Sequence, residues 1–145
     1  MICDHQHEEF TVNANDNIKT IQTVYEAFGR GDVATILEHV TDDVDWGSEA
    51  ASTSAPWFGI RHGKDAVTGF FTSLGSTMEV TKFEPASFAA NDTDVFTLVH
   101  YAATSRATGK TISMNLLHCF GFRDGKIAYY RGSEDTEQTA AALAG

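Results

Sequence analysis

Residues 112–134 run Ile112-Ser113-Met114-Asn115-Leu116-Leu117-His118-Cys119-Phe120-Gly121-Phe122-Arg123-Asp124-Gly125-Lys126-Ile127-Ala128-Tyr129-Tyr130-Arg131-Gly132-Ser133-Glu134. Up to Phe122 the even positions Ile112, Met114, Leu116, Phe120 and Phe122 are apolar, and the odd positions include Ser113, Asn115 and Gly121. Period-two alternation marks a strand with one buried face. Asp124-Gly125 is strong hairpin-turn chemistry, so Lys126 to Glu134 is predicted to return as the last strand. His118 is the single ionisable residue on the even face. Burying an imidazole without a partner costs on the order of 1–3 kcal/mol, so either a neighbour hydrogen-bonds it or it faces a cavity. With an unperturbed pKa near 6.5 it can serve as general acid or base near neutral pH. A satisfied core histidine and a pocket histidine are both open readings.

Working back toward the N-terminus, Thr108-Gly109 makes another hairpin and Val95 to Arg106 a further strand. Asn91-Asp92 supplies the turn before it, and Met78 to Phe88 is the first long strand, with Pro85 at a bulge or an edge. Before Gly75 the pattern is helical. Ile18, Ile21, Val24, Tyr25 and Phe28 recur at three and four, forming one stripe of a helix over residues 17–28 that Gly29 and Gly31 end. Asp32 can cap a second, shorter helix burying Val33, Ile36, Leu37 and Val40. Asp43 to Ser48 reads as a short strand bearing Trp46, and residues 50–55 as a loop returning through Pro56, Trp57 and Phe58. A third helix follows Gly63, with Val67, Phe70, Phe71 and Leu74 on one side. The chain closes on an alanine-rich tail or short helix. Residues 1–15 are expected to be a flexible tail, and residues 16–145 a single domain.

The 145 residues carry 20 acidic and 10 basic side chains, a formal charge of −10. That balance is repelled by phosphate backbones and anionic headgroups, so no nucleic-acid partner is expected. No apolar run approaches the roughly 20 residues a bilayer requires, which excludes a membrane partner of that kind. Cys3 and Cys119 form neither a disulfide framework nor a CxxC pair, and the first residues lack the regions of a secretory signal, so the expected compartment is the cytoplasm. His5 and His7 are read as part of a solvated tail, and no metal site is expected. GxGxxG, P-loop, HExxH and GxSxG patterns are absent, so any chemistry is expected to need no cofactor.

Beside His118, three carboxylates compete for a role: Glu134 at the end of the last strand, Glu49 after the first, and Asp45 next to Trp46. Taken singly, each reads more simply as a solvated rim residue. The aromatic residues Trp46, Trp57, Phe70, Phe71, Tyr101 and Tyr130 either line an apolar cavity or simply fill the core.

The order helix, helix, short strand, helix, then a curved four-stranded sheet resembles the cone-shaped NTF2-like fold, and more narrowly its SnoaL-like and ketosteroid-isomerase-like members. Residues 24–32 (Val24 to Asp32) look like the family's first helix and its Gly-Asp junction, and Thr41 to Trp46 like the entry to its first strand. Phe58 to Val67 is similar to the lead into its third helix, and Phe120 to Ile127 to its hairpin. The resemblance covers about residues 17–135. It implies an α+β fold with three N-terminal helices packed on a strongly curved, mainly antiparallel sheet around an apolar pocket. Counted from the Asp124-Gly125-Lys126 turn, His118 falls where the isomerases have a protonated oxyanion-hole aspartate and where SnoaL-type cyclases have a pocket histidine. The same count turns Ala128, Tyr130, Gly132 and Glu134 inward.

Departures from the family narrow the chemistry. The isomerase's oxyanion tyrosine falls on Val24, with Tyr25 about 100° around the helix, and its base falls near Ser48 or Glu49. The cyclase's catalytic aspartate falls on Gly132. The epoxide-hydrolase-type Arg and Asp fall on Leu116 and His118. Authentic steroid isomerase activity is therefore not expected. The expected function is acid/base chemistry of isomerase, cyclase or hydratase type on a small hydrophobic carbonyl compound. His118 acts on the carbonyl oxygen, Glu134 or else Glu49 moves a proton at the adjacent carbon, and Trp46, Trp57, Phe71, Tyr101, Met114, Leu116 and Tyr130 hold the substrate. The alternative is a non-catalytic small-molecule-binding module. A third reading is an interaction protein using the outer sheet face, where Leu117, Cys119, Ile127 and Tyr129 would lie; that apolar face more simply implies a homodimer.

Overall fold

Capping and turn residues set the element boundaries in the computed structural model, which describes residues 12–145. Helix α1 spans Val12–Gly29, five residues longer at its start than the apolar stripe from Asn17 alone implies. Ala14 and Asn17 extend its buried face, and Asn17 Nδ2 donates to the Asp92 carbonyl in the β3–β4 turn. Helix α2, Val33–Glu38, starts at Asp32, whose carboxylate accepts from Thr35 N at 3.1 Å. Strands β1 (Val40–Ser48) and β2 (Gly59–His62) precede helix α3 (Lys64–Thr77). Then come β3 (Met78–Ala90), β4 (Asp94–Ser105), β5 (Thr111–Arg123), β6 (Lys126–Ser133) and helix α4 (Thr136–Leu143), the last capped by Asp135. The β5–β6 turn has φ of 53° at Asp124 and 78° at Gly125, the paired positive values that suit the right-handed strand twist.

All six strands form one curved, unclosed sheet in the order β2-β1-β6-β5-β4-β3. Four strands follow in sequence as meander partners, and β1 then joins the free edge of β6 in parallel, carrying β2 with it. The sheet is thus two strands wider than the C-terminal meander. Proline is tolerated in β3 because β3 is an edge, and the ladder shifts register between Pro85 and Ser87. Helices α1 and α3 pack against the sheet, and the core lies between, with Ile21, Ile36, Val44, Val67, Val99, Ile112 and Phe120 fully or almost fully buried.

One expected orientation is overturned. Ile127 was assigned to the outer face by strict alternation along β6, yet it is fully buried. Gly121 pairs with Tyr129 while Phe122 pairs with Ile127, so β6 advances two residues where β5 advances one. That bulge at Ala128 reverses the parity of the strand toward its start. Ala128 is accordingly absent from the walls of the interior cavity. The outer face keeps Phe96, Leu117 and Tyr129 exposed, with the free thiol of Cys119 half-buried among them. Among the described residues no helix is long and apolar enough to cross a membrane. Cys3, His5 and His7 lie outside the described residues.

Candidate functional site

The concave side of the sheet does not close on itself. Between sheet and helices lies a cavity with about 80 Å³ of space for the centre of a water-sized sphere, several times what one water requires. Helix α1 contributes Val24, Tyr25 and Phe28, and helix α3 contributes Phe70, Phe71 and Leu74. Strand β1 adds Trp46 and Ser48, β3 Phe83, and β4 Tyr101. Strand β5 adds Leu116, His118 and Phe120, while β6 and the residue after it add Tyr130, Gly132, Ser133 and Glu134. Trp57 enters from the β1–β2 loop. Among the described residues no lysine or arginine lines this space.

His118 sits on the inner face of β5, directly opposite Thr97 on β4. The Tyr25 hydroxyl lies 2.7 Å from His118 Nδ1 and 2.6 Å from Thr97 Oγ1, so one helix and two strands meet in a buried chain of three polar groups. Among the described residues Nε2 makes no hydrogen bond, and it is the nitrogen left for a cavity ligand. Burial lowers the His118 pKa from 6.5 to about 4, which keeps the ring neutral at neutral pH. The same desolvation raises the pKa of the Tyr25, Tyr101 and Tyr130 hydroxyls, which therefore stay protonated.

Glu134 occupies the end of β6, and both its oxygens are engaged. Oε1 accepts from Trp57 Nε1 at 3.0 Å and Oε2 from Thr139 Oγ1 at 2.6 Å. A carboxylate has about four lone-pair directions, so each oxygen retains acceptor capacity. Gly132, between His118 and Glu134 on the same wall, has to be small: a Cβ there would strike the Tyr130 hydroxyl. Tyr130 in turn stacks on Trp46 with ring centroids 4.2 Å apart, and Trp46 Nε1 is buried without a partner.

The structure brings together most of the residues singled out from sequence. His118, Glu134, Trp46, Trp57, Phe71, Tyr101, Leu116 and Tyr130 share the cavity wall. Glu49 is not brought there. It lies on the opposite side of β1, two-thirds exposed, accepting from Arg131 Nε at 2.8 Å, while Asp45 takes Arg131 Nη2 at 2.9 Å. Its neighbour Ser48 faces the cavity instead. Met114 lies apart as well, in a shallow polar depression with Lys82, His100 and Asn115. Tyr25 and Thr97 were not foreseen as polar partners of His118, although Thr97 is the polar exception among inward-facing Val95, Val99, Tyr101 and Ala103. Among the described residues no three His, Cys, Asp or Glu side chains gather as a metal centre requires.

Comparison with known proteins agrees with this geometry. The SnoaL-like domain family matches residues 21–130. No curated protein matches the chain closely enough to count as a relative. Among solved structures, an NTF2-like protein of unknown function from Burkholderia pseudomallei superposes with a TM-score of 0.83 at 22% identity, covering 90% of this chain and 98% of its own. TerC, co-crystallised with polyporic acid, gives a TM-score of 0.77 at 22% identity over 88% of this chain and 98% of its own. A candidate polyketide cyclase from Xanthomonas campestris gives 0.75 at 19% identity over 91% and 99%. At these identities the likeness shows a shared fold.

Burial of His118 also carries a stability signature. Its folded pKa of about 4 lies below the unfolded value near 6.5, so the unfolded chain binds the proton more readily between them. Stability contributed by the neutral ring is fully present above about pH 6.5 and is lost as pH falls toward 4, on the order of 3 kcal/mol across the window. Denaturant titrations of wild type and His118→Asn at several pH values check this: the variant should lose that part of the slope. Identical slopes would show that His118 does not titrate abnormally.

Proposed function

Because the chain belongs to the SnoaL-like domain family, we propose that its cavity performs cofactor-free proton transfer on a small, uncharged, hydrophobic carbonyl compound. The observation that carries this reading is that a neutral imidazole and a carboxylate line one otherwise aromatic and apolar cavity. His118 hydrogen-bonds the carbonyl oxygen through Nε2 and stabilises the negative charge that develops there. Glu134 takes a proton from the adjacent carbon and returns it elsewhere on the product. In a water-poor site an aimed donor is worth more than in solution, and positioned acid/base groups contribute about 10²–10⁴-fold each. The absence of lysine and arginine from the walls favours a neutral over an anionic substrate. Trp46, Tyr130 and Phe71 offer flat faces that suit an aromatic or polyene skeleton. Isomerisation and aldol-type ring closure share this first step, whereas hydration of a conjugated carbonyl shares only the enolate that His118 stabilises. The descriptions of the X. campestris protein as a candidate cyclase and of TerC as crystallised with an organic acid agree with an organic ligand, at the level of a shared fold.

A second reading rests on Glu134. Since Trp57 and Thr139 already occupy one direction on each of its oxygens, the carboxylate also suits a structural strut, and the domain would then hold its ligand without turning it over. Under either reading the exposed Phe96, Leu117 and Tyr129 on the outer sheet face are the proposed contact with a second copy of the chain. Sedimentation should give a dimer that Leu117→Lys weakens at least tenfold; a wild-type monomer at micromolar concentration would remove this contact.

The two functions separate in deuterated water. A panel of aryl methyl ketones and β-diketones, incubated with the protein, should exchange the hydrogens next to the carbonyl faster than in buffer. His118→Gln and Glu134→Gln should each slow that exchange by roughly 10²-fold or more. Binding seen as a rise in melting temperature with no accelerated exchange would leave the binding-module reading; exchange unaffected by both substitutions would eliminate the proposed mechanism.

A further inference from the structure

A buried hydroxyl carries one proton, and that proton requires an acceptor. Thr97 is 3% exposed, and among the described residues its Oγ1 has one partner, the Tyr25 hydroxyl, which in turn lies against His118 Nδ1. Two head-to-tail proton arrangements fit these three atoms while the ring is neutral. In one, Thr97 donates to Tyr25, Tyr25 donates to Nδ1, and the ring proton sits on Nε2. In the other, Nδ1–H donates to Tyr25, Tyr25 donates to Thr97, and the Thr97 proton points at nothing. The second arrangement strands a buried donor, as does one in which Tyr25 accepts from both neighbours, whereas the first satisfies both hydroxyl protons and leaves the ring N–H facing the cavity. We propose that Tyr25, braced by Thr97, is a positioning residue that fixes His118 as the Nε2–H tautomer, so that the cavity offers a neutral imidazole N–H to an acceptor oxygen of its ligand.

The strands make this selection rigid. Thr97 and His118 are direct cross-strand partners, and Tyr25, reaching in from α1, packs edge-on against Phe83 of β3 with ring centroids 5.1 Å apart. Other polar groups around the cavity agree in sign. Trp46 Nε1 can only donate and is buried without a partner, and the Tyr101 and Tyr130 hydroxyls make no hydrogen bond among the described residues. Among the described residues Glu134 is the one carboxylate on the wall, and it accepts from the N–H of Trp57 and the O–H of Thr139. With Nε2–H aimed into the cavity and the Tyr101 and Tyr130 hydroxyls able to donate, the wall matches a ligand bearing at least one carbonyl or ether oxygen. A neutral Nε2–H also cannot serve as the base, which leaves that role to Glu134. This assignment of roles rests on the proton-transfer reading given above, whereas the tautomer itself is measured with no substrate present.

Long-range proton–nitrogen correlation spectra of the nitrogen-15-labelled full chain at neutral pH report which ring nitrogen of His118 is protonated. The wild type should show Nε2 protonated and Nδ1 as a hydrogen-bond acceptor, the other tautomer being populated about tenfold less or lower. Tyr25→Phe, nearly the same shape without the hydroxyl, should bring the two tautomers toward equal population, whereas Thr97→Val, which removes the only other acceptor for the Tyr25 proton among the described residues, should leave Nε2 protonated. A wild-type ring protonated at Nδ1 overturns the proposal, as does a Tyr25→Phe spectrum with unchanged tautomer populations. If the phenylalanine variant does not fold, the wild-type spectrum decides alone. Loss of deuterium exchange in the active-site variants and this spectrum are independent, so either reading can fail without the other.

Discussion

A 2.7 Å contact ties the Tyr25 hydroxyl on the first helix to Nδ1 of His118 on β5, and much of the interior depends on it. An imidazole on the inner face of a strand is a liability until its polar atoms are answered. Tyr25 answers one nitrogen from across the core and is braced by Thr97 from the neighbouring strand. With the ring neutral and anchored, the walls around it can be aromatic, since His118 adds no charge that has to be compensated. The helix is fixed at the same time: a displacement of α1 that broke this contact would leave three buried polar groups unsatisfied.

The cavity is the other half of that constraint. Large rings packed edge to face, such as Trp46 against Phe70 at 5.8 Å and Phe70 against Phe71 at 5.1 Å, do not fill the concave side completely. Gly132 keeps its own strand from filling it, because any side chain there would collide with the Tyr130 hydroxyl. Donors therefore border open space, and a carboxylate stands at the end of the same wall. The proposed chemistry draws on that arrangement: neutral donors for a developing oxyanion and a carboxylate in a largely apolar cavity.

Much of this was readable before any coordinates. Alternation along β5 exposed His118 as an exception, the Asp124-Gly125 turn placed β6 beside it, and Asp32 marked the start of α2. Local pattern failed where the cause is not local. Ile127 follows from a bulge whose only signature is a pairing register. Glu49 is a candidate from sequence because it follows the first strand, where the resemblance puts the isomerase base near Ser48 or Glu49, but β1 alternates and its parallel pairing with β6 sets Arg131 beside the outer carboxylates. Tyr25 counted as one more apolar residue on a stripe wider than 100°, and periodicity says nothing about where a phenol's oxygen ends. Thr97 did leave a signal, a polar residue between Val95 and Val99 on the inward face of β4. Its partner became evident only once the register set it opposite His118.

The central claim, that His118 and Glu134 act together on a carbonyl compound in one cavity, is tested most directly by a crystal structure of the protein holding an aryl ketone that it exchanges or binds. The expected complex has the carbonyl oxygen about 3 Å from His118 Nε2 and the adjacent carbon turned toward the Glu134 carboxylate. A ligand seated elsewhere, or an Nε2 occupied by a protein group with the cavity closed around it, would contradict the account.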